Sequence, residues 1–446
     1  MELNGNNGFP QYSNDLGHDF HAQANESFRD RDAMYKLIIS QLFYDGQAAL
    51  ARNIAGMAKI TEACPPSDRL MKIVSRAIRT DGDLVIQRDH LYPNGALDLD
   101  YETERRGSGM MPYQYETVYV TSHKGPCRAG AFSPDGSLVA TGSVDSSIKI
   151  LDVDRMIAKS NPHDHFQDPQ LMERATDAHP VIRTLYDHLE EVSCLAFHPK
   201  EQFLASGSHD MTIKLFDFAK PTVKRAFKCV QDSAVVRALA FHPTGDYLLV
   251  GTQQPTIRLY HLPTFQSFIS PVIADQHKGA ITSLSYSNSS QLYASGSKDG
   301  EIRIWDTVSN RCVAHFPSAH EGSEVCSVAF SRNGKYVLSS GKDSQVKLWE
   351  LSMCRALIAY TGASISKHRA QGCFNHTEDY VMLPDEKNTS LSTWDARNAE
   401  RQQILSLGHN NAIRHFAHSS TAPAFLTCSD DFRARFWYYR PEYNEA

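Results

Sequence analysis

His277-Lys278-Gly279, Ile281-Thr282-Ser283-Leu284-Ser285-Tyr286, Leu292-Tyr293-Ala294-Ser295-Gly296-Ser297-Lys298-Asp299-Gly300 and Ile302-Arg303-Ile304-Trp305-Asp306 follow one another in this chain. The last three runs alternate apolar with small polar residues, and Gly- or Asn/Ser-rich turns separate them. That two-residue period is the pattern of short antiparallel strands. The unit recurs around this stretch with a period of about 44 residues, the length of one four-stranded propeller blade.

The spacing carries the reading further than the Trp-Asp ending does. An Asp stands 22 residues after a His at His123/Asp145, His188/Asp210, His277/Asp299 and His409/Asp431, and 23 after at His320/Asp343. Six residues beyond each Asp is a bulky apolar residue: Leu151, Phe216, Trp305, Trp349 and Trp437. Two further units are degenerate. One ends at Tyr260-His261, with Asp232 in the His position and Gln254 in the Asp position. The other ends at Trp394-Asp395, with Asn388 in the Asp position. Together these predict seven blades.

Around this repeat the chain has 446 residues, enough for more than one domain. The net charge of -6 excludes a protein that coats nucleic acid by bulk charge. Nine scattered cysteines with no Cys-x-x-Cys pair indicate neither a disulfide framework nor a zinc site. No signal peptide and no long apolar run is evident, so a reduced, intracellular, soluble protein is expected.

Residues 1–27, rich in Asn, Gly, Ser and His, read as a disordered tail. Residues 28–80 read as a small helical domain. Met34, Leu37, Ile38 and Leu42 share a face, and Gly46 is placed to end that helix. Ala49, Leu50, Ile54 and Met57 form a second. Ser67 caps a third that carries Leu70, Ile73, Val74, Ala77 and Ile78. Roughly 50 residues lie near the lower limit for a domain folding alone. With Leu37, Ile38, Leu42, Leu50 and Ile54 as the internal seam, Tyr35, Ile39 and Phe43 remain as a stripe for a homodimer interface. Residues 81–112, with Asp-Gly, Pro-Asn-Gly and Arg-Arg-Gly-Ser-Gly, read as a linker, and 113–441 as the propeller. The last repeat stops at its third strand, so Tyr115–Val120 is expected to supply the fourth and close the ring. An over-long step between blades one and two places a polar insertion within residues 153–184, expected to extend from the surface.

His277, Ser295 and Asp299 are the residue types of a nucleophilic triad. The same arrangement recurs in other blades, however, and an enzyme needs no set of equivalent triads. No nucleophile elbow, Walker loop, dinucleotide fingerprint or His-Glu-x-x-His occurs. His163-Asp164-His165 offers too few ligands for a metal centre. No catalytic residue, metal or cofactor is therefore predicted. A different set bears on binding. Arg128, Arg237 and Arg414 begin innermost strands, and His209, Lys298 and Lys342 directly precede blade positions of the aspartate. They predict a cationic rim at one mouth of the channel, suited to an acidic or phosphate-bearing partner.

The unit resembles the WD repeat. That resemblance implies a buried network fixing each blade: His123, Thr141 and Asp145; His188, Ser206 and Asp210; His277, Ser295, Asp299 and Trp305; His320, Ser339, Asp343 and Trp349; His409, Thr427, Asp431 and Trp437. It also makes Lys149, Lys214, Arg258, Arg303, Lys347 and Arg435, two before the aromatic, ordinary repeat residues and not a phosphate-binding ring.

Other stretches say more than a generic repeat demands: Tyr35-Lys36-Leu37-Ile38-Ile39-Ser40-Gln41-Leu42, Tyr119-Val120-Thr121-Ser122-His123-Lys124-Gly125-Pro126-Cys127-Arg128, His179-Pro180-Val181-Ile182-Arg183-Thr184-Leu185-Tyr186-Asp187-His188 and Cys428-Ser429-Asp430-Asp431-Phe432-Arg433-Ala434-Arg435-Phe436-Trp437-Tyr438. With these the chain resembles the family of the WD-repeat subunit (subunit 1) of the cleavage stimulation factor. The first 25 residues and parts of the linker depart from that family. The resemblance implies a nuclear, non-catalytic subunit acting in messenger-RNA 3′-end formation. It would homodimerise through its helices and dock a helical-repeat scaffold subunit. Downstream U/GU-rich RNA would be recognised through a separate RNA-binding subunit, and contact with the RNA polymerase II C-terminal domain would be expected. A substrate adaptor of a ubiquitin ligase, which also pairs a helical module with a propeller, is the alternative. Recovery of ligase components instead of processing factors would favour it.

Overall fold

The computed structural model describes residues 35–58, 60, 64–67, 70, 97, 99, 113–160, 179–220, 224–365 and 367–439. The chain divides into two compact units, Met1–Pro93 and Asn94–Ala446.

In the first unit, α1 runs over residues 35–44 and α2 over Ala48–Met57. Gly46 ends α1 in the left-handed conformation, φ +77°, and the Gln47 N–H turns back to the Leu42 carbonyl at 2.8 Å. This is the C-terminal turn that a glycine makes without steric cost. The predicted third helix lies outside the described residues except for Leu70, which is helical. Ile39 is 1% exposed within a single chain, whereas Tyr35 and Phe43 are half-buried and Leu50 is 48% exposed. Two assignments therefore change. Ile39 belongs to the interior of its own chain and not to an interface stripe, and Leu50 faces outward. The reason is that α1 is apolar around most of its circumference, so periodicity alone does not select its buried face.

The second unit is a closed ring of seven four-stranded antiparallel sheets. The innermost strands are Cys127–Phe132, Val192–Phe197, Val236–Phe241, Ile281–Tyr286, Val325–Phe330, Cys373–Phe374 and Ile413–His418, in blades one to seven. Each blade winds outward in chain order, except that Tyr115–Ser122 pairs with Arg433–Tyr439 and forms the outer strand of blade seven. The first and last parts of the ring are thereby stitched into one sheet, which removes the open edges a partial ring would present. Hydrophobic clusters fill the spaces between neighbouring blades; that of blades four and five gathers Ile302, Ile304, Phe316, Val325, Val328 and Trp349.

Two segments differ from the sequence expectation. The insertion does not simply extend outward. Its first part is α3, Val153–Ser160, capped by Asp152, whose Oδ1 accepts the Arg155 N–H at 3.0 Å. Val153, Met156 and Ile157 pack with Val139, Phe436 and the flanking Val118 and Tyr119, covering the stitched seam of blades one and seven. Pro180 onward joins the outer strand Val181–Tyr186 of blade one. Part of the linker is likewise docked: Leu97 is 1% exposed in the apolar cluster of blades five and six. Among the described residues no helix is long and apolar enough to cross a membrane.

Candidate functional site

The repeated triads are relays sealed inside the blades. In blade four His277 Nδ1 lies 3.1 Å from Asp299, Nε2 lies 2.7 Å from Ser295 Oγ, and Trp305 Nε1–H donates to the same Oγ at 2.9 Å. A carboxylate only accepts, so Nδ1 carries a proton toward Asp299. Asp299 also accepts the Lys278 and Glu301 N–H groups. Burial alone would raise its pKa, but the His277 and main-chain donors outweigh that and hold it well below the usual carboxylate range. Blade five repeats the arrangement with His320, Ser339, Asp343 and Trp349, and blade seven with His409, Thr427, Asp431 and Trp437. Blade two joins His188 to Asp210 and Ser206, with Phe216 in the tryptophan place. In blade one His123 contacts Thr141 and Ser147, and the Ser147 hydroxyl passes the link on to Asp145.

The would-be nucleophiles Thr141, Ser206, Ser295, Ser339 and Thr427 are all 0% exposed. A hydroxyl sealed beneath its own blade and already bonded to Trp or His meets no substrate. His277, Asp299 and Glu301 place ligand atoms within 4.8 Å of one another. Asp299 is committed to His277 and two N–H groups, however, and Glu301 to Arg303. His163, Asp164 and His165 lie outside the described residues.

The basic residues two before the aromatics are similarly occupied. Lys149, Lys214, Lys347 and Arg435 donate to the carbonyls of Ser122, Asp187, Ala319 and Gly408, each just before the blade histidine. They staple the loop entering each blade.

Blade three substitutes an ion pair. Asp232, in the histidine place, has a fully buried side chain that pairs with Arg258 and accepts the Tyr260 hydroxyl at 3.0 Å. Blade six has neither solution, and Trp394 Nε1–H donates to the Thr361 carbonyl at 3.0 Å instead.

At the channel mouth Arg128, Arg237 and Arg414 each occupy a β-bulge, where the register skips one residue near the start of the strand. A bulge re-aims the side chain it carries, and here it brings Arg128 to Asp430 in a turn of blade seven, and Arg237 and Arg414 to Gln253 and Asp430 in turns of their own blades. The rim is not cationic throughout, which corrects the prediction. Arg128 Nε lies 3.3 Å from Asp430 and 3.7 Å from Glu191, and His209 lies 3.8 Å from the other Glu191 oxygen. Arg414 approaches Asp430 at 3.4 Å and pairs with His368. Arg369 pairs with Glu324, and Arg237 donates to Gln253 at 3.2 Å. Burial and the neighbouring Arg414 push the His368 pKa down. The result is a belt of interleaved charges, with Lys298 exposed beside it and Lys342 half-buried. Charge counting could have found Asp430, which directly precedes Asp431 as His209, Lys298 and Lys342 precede their blade aspartates; Glu191, Glu324 and Glu386 stand at other positions.

A ring of WD repeats with sealed relays, preceded by a helical module, defines an interaction scaffold, a class whose members are generally not catalytic. Residues 26–82 match the family described as "Cleavage stimulation factor subunit 1, dimerisation domain". Residues 115–152, 180–217 and 401–438 match the WD domain G-beta repeat, and 227–369 match a Vps8 beta-propeller. The chain is 36% identical over 416 residues to "Cleavage stimulation factor subunit 50" of Arabidopsis thaliana, covering 90% of this chain and 94% of that protein. The nuclear distribution protein nudF of Emericella nidulans is 35% identical over 140 residues, 31% of each chain. The chain belongs to the family of WD-repeat subunits of the cleavage stimulation factor.

Proposed function

We propose that the chain is the non-catalytic scaffold of a cleavage stimulation factor complex, serving pre-mRNA 3′-end cleavage and polyadenylation in the nucleus. The carrying observation is the end-to-end match to the plant subunit together with the dimerisation domain at residues 26–82. In this reading the helical unit homodimerises, with Tyr35 and Phe43 at or near the interface. The propeller docks the helical-repeat scaffold subunit, and RNA is reached through the RNA-binding subunit of the complex. The RNA polymerase II C-terminal domain is a further partner.

The docking surface we assign is the channel mouth bearing Arg128, His209, Arg237, Lys298, Lys342 and Arg414. Two features support it. The Nε atom of Arg237 is buried without a hydrogen-bond partner among the described residues. An interleaved belt also selects a partner of matching charge order, and pairs at a rim act mainly on encounter rate and salt dependence.

The test is affinity purification of the tagged full chain from nuclear extract, with cleavage of a 3′-processing substrate restored to depleted extract. Processing factors and restored cleavage are expected. Ubiquitin-ligase components in their place would overturn the reading. Reversing Arg128, Arg237 and Arg414 to Glu is expected to weaken docking without removing the dimer.

A further inference from the structure

The buried linker residue has a receptor built around it. Leu97 inserts among Tyr336, Phe374 and Trp394 at the seam of blades five and six, and Leu99 packs beside it. The backbone is held as firmly as the side chain. The Leu97 N–H donates to Glu378 Oε2 at 2.9 Å, its carbonyl accepts from Asn333 Nδ2 at 2.6 Å, and the Leu99 N–H reaches the Tyr336 hydroxyl at 3.2 Å.

Glu378 is an unusual residue for its place. It sits in the turn after the innermost strand of blade six, at φ +60°. The equivalent turns of blades one, three and five use Gly136, Gly245 and Gly334 at φ +77°, +94° and +69°. A left-handed position favours glycine, yet blade four fills it with Ser290 at φ +63° and blade six with Glu378. That side chain is buried, Glu378 being 3% exposed, and its second oxygen accepts the Arg332 N–H at 2.6 Å. One carboxylate thus bridges the blade-five turn, the blade-six turn and the incoming segment.

We propose that this seam is a binding site for a leucine-bearing peptide segment, occupied in cis by the chain's own Leu97 and Leu99, with Glu378 and Asn333 reading the backbone of Leu97. An empty site would strand the buried Glu378 oxygen that Leu97 now satisfies. A segment that presents a free N–H, a carbonyl and an apolar side chain in register replaces it. The anchor also governs reach. From residue 82, where the dimerisation-domain match ends, the chain has 15 residues to Leu97 but 33 to Tyr115. At about 3.3–3.6 Å per residue the docked anchor limits that span to roughly 50 Å, against roughly 115 Å when released. This consequence for a dimer rests on the dimer reading above; the site itself does not.

The test uses the full-length chain. In hydrogen exchange the Leu97 and Leu99 amides are expected to exchange at least tenfold more slowly than in a free peptide of residues 94–102. That peptide, fluorescein-labelled, is then added to the Leu97→Ser/Leu99→Ser variant, whose site is vacated. Anisotropy should show binding there and none to wild type. Adding Glu378→Ala, or Glu378→Gln if the first variant does not fold, should weaken binding at least tenfold. Leu97 exchanging at the free-peptide rate overturns the proposal. So does equal binding of the peptide to wild type and the serine variant, or indifference to both Glu378 variants. A loss of dimerisation in the helical unit would leave each of these readouts unchanged.

Discussion

Blades three and four solve one problem with opposite chemistry. In blade four a histidine links a buried aspartate to a serine and a tryptophan, and Arg303 turns aside to Glu301 and the Ala274 carbonyl. In blade three the histidine place holds Asp232, and the basic residue two before the aromatic swings in to neutralise it, with Tyr260 standing for the tryptophan. Both bind the loop entering the blade to its third strand. What the blade demands is a buried polar tie with every partner satisfied; the residue types are negotiable.

The comparison breaks most visibly at Arg258. Arg258→Met leaves the Asp232 carboxylate enclosed with no counter-charge, and removing one partner of a buried pair costs about 3–5 kcal/mol. Urea midpoints should fall accordingly. A loss no greater than that of Arg303→Met in blade four would mean the ion pair is incidental. Asp299→Ala in blade four is expected to cost less, about 1–3 kcal/mol, because it strands His277 and two N–H donors but no charge. An unchanged unfolding midpoint with lost partner binding would place that aspartate on the docking surface instead.

Acid separates the histidine blades from the ion-pair blade. Burial lowers the pKa of His188 and His409 despite their aspartates, and pushes that of His376, on the opposite face of the ring, down to about 4. The unfolded chain takes up these protons first, so stability is lost as pH falls below about 6.5. Asp210 follows. Its burial alone would raise the pKa, but Thr212, the Leu189 N–H and His188 hold it to about 2. Its contribution is present above about 4 and lost as pH falls toward 2. Unfolding free energies measured from pH 7 to 3 should fall first in the histidine range and again below 4. His188→Gln should flatten the first fall, whereas Arg258→Met should leave its slope unchanged.

How much of this was legible depended on sequence distance. The ring was readable because His, Ser/Thr, Asp and Trp of one relay lie within a single repeat, and the closing strand because the last repeat visibly lacked one. Blade three was seen as degenerate, yet its repair was hidden: Arg258 looked like an ordinary repeat cation, and Asp232 like a lost histidine. The mouth is misjudged in sign because only the basic residues at the position before each blade aspartate are counted, although Asp430 holds that position in blade seven and meets Arg128 and Arg414. Leu97 was invisible because its receptor Glu378 lies 281 residues away. A short capped helix at Val153–Ser160 could have been found from Asp152 followed by Met156 and Ile157, one turn of apolar spacing.

The smallest net effect is expected where one solution is converted into the other. Asp232→His alone should be costly, because it places an imidazole against Arg258 and leaves Nδ1–H opposite Gln254, an acceptor of lesser strength than a carboxylate. Adding Gln254→Asp supplies that carboxylate at the position Asp299 holds in blade four. Arg258 would then be free to donate to the Gln231 carbonyl, as Arg435 does to Gly408 in blade seven. The remaining difference is Val250, which stands where blade four has Ser295, so Nε2 gains no serine hydroxyl. Tyr260 is placed to donate to it, since its hydroxyl already reaches the Asp232 carboxylate at Oδ2, away from Arg258 and Ser233 at Oδ1. The double variant should therefore recover at least half of the loss of Asp232→His, a coupling of about 1–3 kcal/mol in a double-mutant cycle. Removing the tyrosine hydroxyl with Tyr260→Phe should abolish the recovery. Strict additivity of the two substitutions would show that the blades are not interchangeable ties, and that blade three needs its ion pair for a reason beyond holding the loop.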